Sequence, residues 1–519
     1  MLNWSIALIP LLPLLAALWI AIGFIFGWNR HEKGEKETAV VSLYAIGISF
    51  LLVIGLDVAA VSGVLPTEVR LGTWLSSGRY HINIGFLFDT LSLTMATLVG
   101  FITLIVTKFS IDYLHREAGF QRFFMMLSVF NAAMLLIVLA SNAALTFIAW
   151  ELAGVSSFLL IAYSWHRDVA TGNAVRAFVS NRMGDAGFIL AIAFSFFWLG
   201  TVEWSEMPIM IKENNISTLY VGVIILGFMT AAFAKSAQFP FSAWITRALE
   251  GPTPSSAVFY GSLMVHAGVY LLLRLAPLLS VEPALLIIIM LVGIITAAYG
   301  YVVGLVQTDV KSSFMFSTLA QVGLMLVWIG NGWFTLSLIH LVLHAIWRAY
   351  QFLHAPSFLQ HAQQPARPVP QWLHRDTWLY NAALHRFWLD GISDWLLTKP
   401  THALAHEAQL FDEQVIDRLT GIQSHANMLS TLSCWEAQQA NKVALVDEIG
   451  KGNGIFGAFM QVAAAAMHWF EEKLVLRGSG EGLLTLLNYL GKYLENIDKL
   501  LMQPRYLLVL IMVTIVIIL

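Results

Sequence analysis

A single lysine at the end of a long apolar run is the residue whose position most strongly indicates a chemical role. Lys235 follows the uncharged run 219–234. Pro240 then removes a backbone hydrogen-bond donor, and the turn Gly251-Pro252-Thr253-Pro254 interrupts the next apolar segment. In lipid, irregular backbone and an ammonium group are tolerated only where protein or water surrounds them. The stretch 231–274 therefore predicts a broken transmembrane helix that lines an internal polar cavity.

Further ionisable residues fall within apolar segments, where each charge costs about 2.5–3.5 kcal/mol unless it has a partner or a function. They are Glu151, Arg182, Asp185, His266, Lys311, His340, His344 and Arg348. We predict Glu151 as the counter-ion of Lys235, because at about 4 Å and an effective dielectric near 20 the pair would attract by roughly 4 kcal/mol. Moving the glutamate away would then release the proton of the lysine. Arg182 and Asp185 lie one helical turn apart, and we interpret them as neutralising each other.

Three of these residues recur at intervals of four, namely His340, His344 and Arg348. This spacing puts two imidazoles and a guanidinium on one helix face. Imidazole titrates near neutral pH, so the row suits a proton relay aligned with Lys311 and the lysine of the broken helix. A membrane histidine can instead make a structural hydrogen bond to a neighbouring backbone, and for His266 both interpretations remain open. No carboxylate or thiolate shares the histidine face, so no metal site is predicted.

The elements that must position these residues are membrane-spanning helices. Of the 519 residues, 58% are hydrophobic and 12% are charged, and a mean hydropathy of +0.71 lies outside the range of soluble globular proteins. Runs long enough to cross about 30 Å of hydrocarbon predict about eleven crossings, near residues 4–27, 40–64, 86–110, 122–140, 142–164, 176–200, 217–247, 254–278, 283–306, 312–330 and 333–354. The first run lacks a basic n-region and a small-residue cleavage site, so we interpret it as a spanning helix and not as a signal peptide.

Composition also excludes several classes of partner. The net charge of -3 leaves no basic stripe, so nucleic acid is not predicted as a partner. The single Cys434 cannot form an internal disulfide. Signatures for nucleotide, iron–sulfur or haem binding are missing, so no cofactor is predicted for the chain itself. The lipid bilayer is the one partner that composition alone predicts.

The sequence changes character after the last apolar run. We predict a transmembrane bundle in residues 1–354, a polar linker in 355–385, an amphipathic helical region in 386–504 and a C-terminal membrane anchor in 505–519. A stripe with alternating spacings of four and three predicts a lateral helix in the amphipathic region, formed by Leu483, Leu487, Leu490, Leu494, Ile497 and Leu501. The alternative is an ordinary surface helix on a small cytosolic domain. The predicted fold class is an all-α polytopic membrane protein with a broken helix, amphipathic lateral helices and a terminal anchor.

Ordered motifs run through roughly residues 80–355. They are Trp150-Glu151-Leu152-x-Gly154, Asn181-Arg182-x-Gly184-Asp185, Ala234-Lys235-Ser236-Ala237-Gln238-x-Pro240, Gly251-Pro252-Thr253-Pro254-x-Ser256-Ala257, Asp309-x-Lys311 with Ser317-Thr318-x-x-Gln321-x-Gly323, and His340-x-x-x-His344-Ala345. Together they resemble the antiporter-like membrane subunits of respiratory complex I, in particular the subunit 5 (subunit L) branch. The resemblance implies proton or sodium translocation along a central hydrophilic axis. By position it implies that Glu151 and Lys235 form the charge pair, that Lys311 is the central lysine, and that His340 and His344 are the connecting histidines.

Three residues depart from the family pattern. Arg247 stands where the family usually has an acidic residue, Tyr260 where it has a histidine, and Arg348 where it has a lysine. Arginine stays protonated at any accessible pH, so Arg348 can supply an electric field but cannot pass a proton along. The spanning helices expected after residue 355, including a second broken helix, are not apparent in the sequence.

This shortened layout resembles the smaller subunit 5 relatives of two-component (DAB-type) inorganic carbon transporters. The resemblance implies a cation-coupled subunit that energises uptake of CO2 or bicarbonate across a bacterial cytoplasmic membrane. Its partner would be a large soluble, zinc-containing, carbonic-anhydrase-like subunit. The alternative is a proton-pumping subunit of a complex I-type NADH:quinone oxidoreductase or membrane hydrogenase, with other complex I-like subunits as partners. A structural brace with a vestigial pathway is a third hypothesis.

Overall fold

A computed structural model describes residues 2–78, 80–355, 369–411 and 491–492 of the protein. The chain divides into two compact units, 1–398 and 399–519. Of the second unit, the helix Lys399–Phe411 and residues 491–492 are described. Apart from those two residues, the predicted lateral helix and the predicted anchor lie outside the described residues, and so does Cys434.

The first unit is built from long helices, as the apolar runs predict. In chain order they are α1 (Leu2–Phe26), α2 (His31–Val61), α3 (Thr90–Tyr113), α4 (Phe120–Leu139), α5 (Ala143–Ile161), α6 (Asp168–Phe194), α7 (Met207–Glu213), α8 (Thr218–Lys235), α9 (Thr253–Ser256), α10 (Ala267–Arg274), α11 (Ala276–Leu279), α12 (Ala284–Gly304), α13 (Val310–Gly330) and α14 (Phe334–Leu353). Among the described residues, 10 helical segments are long and apolar enough to cross a membrane, so the helical polytopic fold class is confirmed. The last predicted crossing forms α14, a 20-residue helix that is less apolar than those 10 segments.

Two features show how closely the bundle is packed around its centre. Helix α4 is buried along almost its whole length and contacts α1, α3 and α5. On α12 and α13, Gly293 and Gly323 face each other, and a Cβ on either would lie within 2.7 Å of the carbonyl oxygen of the other. Small residues at such crossings let helix backbones approach each other in a membrane.

The predicted break after Lys235 is confirmed. Helix α8 ends at that residue, and the chain continues in two 3-10 turns, Phe241–Ala243 and Ile245–Glu250. The following segment is interrupted again between α9 and α10 by a π turn, Ala257–Ser262, and a 3-10 turn that ends at His266. This second irregular stretch is wholly buried, as the polar-cavity argument requires of non-helical backbone at membrane depth.

An antiparallel β-hairpin between α2 and α3 was not part of the all-α prediction. Its strands are β1 (Glu68–Ser77) and β2 (Tyr80–Leu87). The hairpin is held to the bundle by buried Glu203, whose carboxylate accepts hydrogen bonds from Asn83 Nδ2 at 3.1 Å and from Ser141 Oγ at 3.0 Å. Burial raises the pKa of the Glu203 carboxyl, because desolvation disfavours its charged form.

Part of the predicted polar linker is folded against the bundle. Residues 371–375 and 377–384 form short helices, and Leu373 and Ala383 are buried next to Val306. The compact unit thus extends to residue 398, past both boundaries that the sequence predicts. The polar composition of the linker concealed these apolar contacts.

Candidate functional site: a buried ion cluster and a histidine file

Lys235 is the last residue of α8 and is only 1% exposed. Its Nζ donates a hydrogen bond to the carbonyl oxygen of Trp150 on α5 at 2.9 Å and lies 5.0 Å from the centroid of the indole ring. A carbonyl dipole and the negative face of an aromatic ring both favour an ammonium group. The structure therefore places the lysine inside the bundle, as the sequence predicts.

The partner of Glu151 differs from the prediction. Its carboxylate is paired with Arg182 of α6, and no salt bridge joins it to Lys235 among the described residues. Arg182 Nη2 also lies 2.8 Å from Asp185 Oδ2, while Asp185 Oδ1 accepts from Trp150 Nε1 at 2.9 Å. Arg182 thus bridges two carboxylates, because its long side chain reaches across from α6 to α5. Glu151, Arg182, Asp185 and Lys235 form what we call the ion cluster, which carries no net charge when all four are ionised.

Gly154 leaves the space in which the two cations of the ion cluster approach each other. A Cβ at this position would lie 3.3 Å from Arg182 Nη2 and 3.3 Å from Lys235 Nζ. A small pocket adjoins this point. It is lined by Gly154, Ser157, Phe158, Ile161, Ala177, Phe178, Asn181, Arg182 and Met264. Most of this described lining is apolar, and Arg182 is its one charged member. Within the described part of the chain, Glu151 Oε1 and Arg182 Nε have no hydrogen-bond partner.

A file of histidines forms the second part of the site. His266 Nε2 and His344 Nδ1 lie 3.1 Å apart, and both residues are buried. Arg348 Nη2 approaches His344 Nε2 at 3.5 Å and donates to Ser317 Oγ at 2.7 Å. Arginine is only a donor, so His344 accepts at Nε2 and donates from Nδ1 to His266. The hydrogen bonds of the file therefore all run from Arg348 towards His266.

His340 is held apart from this file by bonds to α13. Trp328 Nε1 donates to His340 Nδ1 at 3.2 Å, and His340 Nε2 lies 2.9 Å from Gln321 Oε1. Indole nitrogen can only donate, so Nδ1 of His340 is unprotonated and its proton sits on Nε2. The predicted row of His340 and His344 exists, with ring centroids 6.2 Å apart, but His344 makes its hydrogen bond across the bundle to His266.

Lys311 lies at the beginning of α13, away from the ion cluster. Its Nζ donates to Thr253 Oγ1 at 2.5 Å, and the same hydroxyl lies 2.9 Å from the Tyr113 hydroxyl at the end of α3. No hydrogen bond joins it to Lys235 in the described part of the chain. Lys311 and Lys235 thus bond to different helices, α9 and α5, and their alignment with the histidine row stays a prediction.

The departures from the family pattern have local partners. Arg247 pairs with Asp390 at 2.8 Å, so an acidic residue from the predicted amphipathic region stands beside it. The Tyr260 hydroxyl lies 3.3 Å from Ser157 Oγ and is buried. Asp390 was not singled out by sequence reasoning, because nothing in the local pattern shows that residues so far apart in the chain meet.

Trp150 and Gly154 are the site residues that sequence reasoning named only as motif letters. Trp150 contributes its carbonyl, its ring and its indole N–H to the ion cluster. Their signal was present in the motif Trp150-Glu151-Leu152-x-Gly154, whose residues lie one turn apart on a helix. His340 is oriented by Gln321, which was also named as a motif letter, and by Trp328, which could be recognised only once α13 and α14 were seen to pack together.

Comparisons with known proteins match the segment that contains this site. The family described as "NADH:quinone oxidoreductase/Mrp antiporter, TM" matches residues 140–369, and "NADH-Ubiquinone oxidoreductase (complex I), chain 5 N-terminus" matches residues 74–124. The chloroplast NAD(P)H-quinone oxidoreductase subunit 5 of Piper cenocladum is 33% identical over 362 residues, which cover 69% of this chain and 49% of the relative. The corresponding chromatophore protein of Paulinella chromatophora is 34% identical over 361 residues, which cover 69% and 54%. The chain thus spans about half the length of these curated relatives.

Solved structures give the same result for the fold. The Mrp complex from Dietzia sp. DQ12-45-1b contains a chain that is 27% identical, with a TM-score of 0.58 over 66% of this chain and 37% of that chain. A chain of the archaeal membrane-bound sulfane sulfur reductase shares the fold, with a TM-score of 0.57 and 19% identity. The match covers 66% of this chain and 55% of that chain. The matched segments contain the ion cluster and the histidine file. The chain belongs to the antiporter-like family of complex I subunit 5 (subunit L) and the Mrp antiporters.

Proposed function

We propose that this chain is a proton-translocating membrane subunit of a larger complex of the complex I or Mrp kind. The observation that carries the proposal is the ion cluster, in which a lysine with 1% exposure is held between helices with two carboxylates and a guanidinium around it. Buried charges of this kind are costly and mark ion pathways in membrane proteins. The named relatives are subunits of multisubunit complexes, which supports partners of the same kind for this chain.

The contacts favour the proton over the sodium ion as the transported species. His266 and His344 present nitrogen atoms to each other at 3.1 Å, a geometry that transfers protons. Hard cations require several oxygen ligands instead.

The ion cluster supplies the coupling step of this proposal. Arg182 binds Glu151 and Asp185 together, so Lys235 interacts with both carboxylates at longer range and is held by the Trp150 carbonyl. A movement of Arg182 towards Asp185 frees Glu151 to pair with Lys235, and the reverse movement weakens the hold on the lysine proton. A partner subunit that biases the position of Arg182 would thereby load or discharge Lys235.

The relatives favour one of the two assembly hypotheses. They are quinone oxidoreductase, Mrp and sulfur reductase subunits, so a complex I-type or Mrp-type assembly has better support than inorganic carbon uptake with a zinc-containing partner. The named curated relatives come from a chloroplast and a chromatophore, and the bacterial cytoplasmic membrane stays a prediction. Subunits that co-purify with the full chain identify the assembly. Iron–sulfur or quinone-binding subunits support this proposal, and a single zinc protein supports the carbon hypothesis.

Proton transfer is tested with the full chain and its co-purified subunits in vesicles that contain a pH-sensitive dye. Glu151→Gln removes the charge that positions Arg182, so we expect proton transfer to fall about 10-fold or more. Glu213→Gln, on the exposed end of α7, is the matched control and should leave the rate unchanged. Unchanged transfer in Glu151→Gln would contradict the role of the ion cluster.

A further inference from the structure

A second buried polar cluster lies where α10 ends and α3 begins. Arg274 pairs with both carboxylate oxygens of Asp89, one of them at 3.1 Å, and donates to Ser92 Oγ at 2.6 Å. Arg274 Nη2 also lies 3.1 Å from the Tyr270 hydroxyl, which donates to the Val138 carbonyl oxygen at 2.9 Å. We call Asp89, Ser92, Tyr270 and Arg274 the Asp89 cluster. The function proposed above uses none of its members.

The Asp89 cluster and Lys311 lie at opposite ends of the bundle. Asp89 precedes α3 as its N-cap and accepts from Ser92 N, whereas Tyr113 at the other end of α3 shares the Thr253 hydroxyl with Lys311. The 24 residues of α3 separate the two ends by about 35 Å at 1.5 Å rise per residue. This length is close to the roughly 30 Å of a bilayer core. The two clusters therefore lie near the two faces of the membrane.

The histidine file leads from the middle of the bundle towards the Asp89 cluster. His266, Tyr270 and Arg274 recur at intervals of four and so share one face of α10 and its first turn. Their exposed fractions are 0%, 1% and 9%. Neighbouring residues on such a face have Cβ atoms about 6 Å apart, so the imidazole of His266 and the phenol of Tyr270 follow each other along one buried face.

We propose that the Asp89 cluster is a proton-transfer site that connects the histidine file with water at the Asp89 end of α3. The side chain of Asp89 is 41% exposed, while Tyr270 is buried, so the cluster joins the interior to the surface. The Ser92 and Tyr270 hydroxyl groups both accept a hydrogen bond from Arg274 Nη2, at 2.6 Å and 3.1 Å, which places them side by side. This proposal rests on the proton translocation proposed above, and it supplies that function with a route to the second face within this chain.

The transfer conserves protons at every step. Tyr270 Oη takes the incoming proton, its own proton turns from the Val138 carbonyl oxygen to Ser92 Oγ, and the Ser92 proton passes to the carboxylate of Asp89. Asp89 then gives its proton to water, and each group has returned to its starting state. The reverse order carries a proton inward.

Arg274 acts in this step as a positioning residue, because a guanidinium does not release its proton. Its charge is balanced while Asp89 is ionised and becomes unbalanced in a buried site when Asp89 is protonated. This imbalance favours release of the proton from Asp89. An ion pair that only tied α3 to α10 would need the two charges, but it would not need the hydroxyl groups of Tyr270 and Ser92.

The test measures proton transfer by the full chain and its co-purified subunits in dye-loaded vesicles. Tyr270→Phe removes one hydroxyl and keeps the ring. Asp89→Asn removes the charge and keeps an oxygen that can cap Ser92 N, which now donates to Asp89 at 2.8 Å. We expect each variant to transfer protons at least about 10-fold more slowly, since positioned proton-transfer groups contribute about 10²–10⁴-fold. Ser92→Ala leaves the ion pair in place and should also slow proton transfer. It replaces either of the other variants if that variant does not fold.

The controls make the same chemical changes away from the cluster. Tyr299→Phe removes a buried hydroxyl on α12 that has no hydrogen-bond partner among the described residues. Asp376→Asn alters another helix-capping aspartate, which accepts from Leu379 N at 3.0 Å. Both should transfer protons within about twofold of the wild type. Asp89→Glu keeps the carboxylate that Asp89→Asn lacks. If Asp89→Glu transfers protons faster than Asp89→Asn, Asp89 acts in proton transfer and not only as a helix cap.

Two results would overturn the proposal in different ways. If Tyr270→Phe, Ser92→Ala and Asp89→Asn all transfer protons as fast as the controls while Lys235→Ala does not transfer, the Asp89 cluster is off the pathway and the proposed function stands. If the wild-type complex transfers no protons in any vesicle, the proposed function fails and this proposal fails with it.

Discussion

Replacing Gly154 by alanine adds one methyl group between the two cations of the ion cluster. The new Cβ would lie 3.3 Å from Arg182 Nη2 and from Lys235 Nζ, so one of these groups must yield by a few tenths of an ångström. Overpacking at a buried site costs about 1–3 kcal/mol, and alanine gains up to about 1 kcal/mol over glycine inside a helix. We therefore expect a net loss of about 0–2 kcal/mol in the free energy of unfolding. A 1 Å misplacement costs about 10²-fold in rate, so a shift of about 0.3 Å should slow proton transfer roughly fourfold.

The assay combines unfolding in mixed micelles with proton transfer in dye-loaded vesicles. Gly172→Ala is the matched control, because this glycine of α6 has nothing within 4 Å of the added Cβ. It should gain up to about 1 kcal/mol and transfer protons at the wild-type rate. If Gly154→Ala is as stable as Gly172→Ala and transfers protons equally fast, the two cations do not share the space that the structure assigns to them.

Three further predictions concern other parts of the chain. Burial raises the pKa of Glu203 above its ordinary 4.5, so the native state binds this proton more tightly than the unfolded state does. The free energy of unfolding therefore falls as pH rises from 4.5 through the raised pKa. In unfolding measurements at a series of pH values, Glu203→Gln should show a weaker pH dependence. Arg247→Met should lose about 0.2–1 kcal/mol, since the pair is partly exposed, and Asp390→Asn should lose more in the same unfolding measurement, because Asp390 also pairs with Arg386. Trp328→Phe removes the donor to His340 Nδ1, and nitrogen NMR should then show a mixture of tautomers where the wild type has the proton on Nε2.

The positions of the spanning helices could be predicted from hydropathy, and the break after Lys235 from the prolines that follow it. These features are local, because a run of apolar residues or a missing backbone donor acts within its own segment. The partner of Lys235 could not be predicted in this way. Which carboxylate meets which cation depends on how α5, α6 and α8 are rotated, and Arg182 takes the position that charge alone would give to Lys235.

The Asp89 cluster was missed for a related reason. Asp89 and Arg274 are 185 residues apart, and each is ordinary at a helix end. The interval of four that links His266, Tyr270 and Arg274 was visible in the sequence, but an interrupted helix gave no assurance that the three residues share a face. Only the contact of Arg274 with Asp89 and Ser92, which precede and begin α3, shows that this row of polar residues ends at a second cluster.

The most direct measurement is proton transfer by the reconstituted complex with alanine in place of Lys235, compared with Lys212→Ala on the exposed end of α7. The account predicts that Lys235→Ala reduces proton transfer at least about 100-fold in a complex that assembles normally, and that Lys212→Ala has no effect. Normal proton transfer by an assembled Lys235→Ala complex would contradict the account and support the hypothesis of a structural brace.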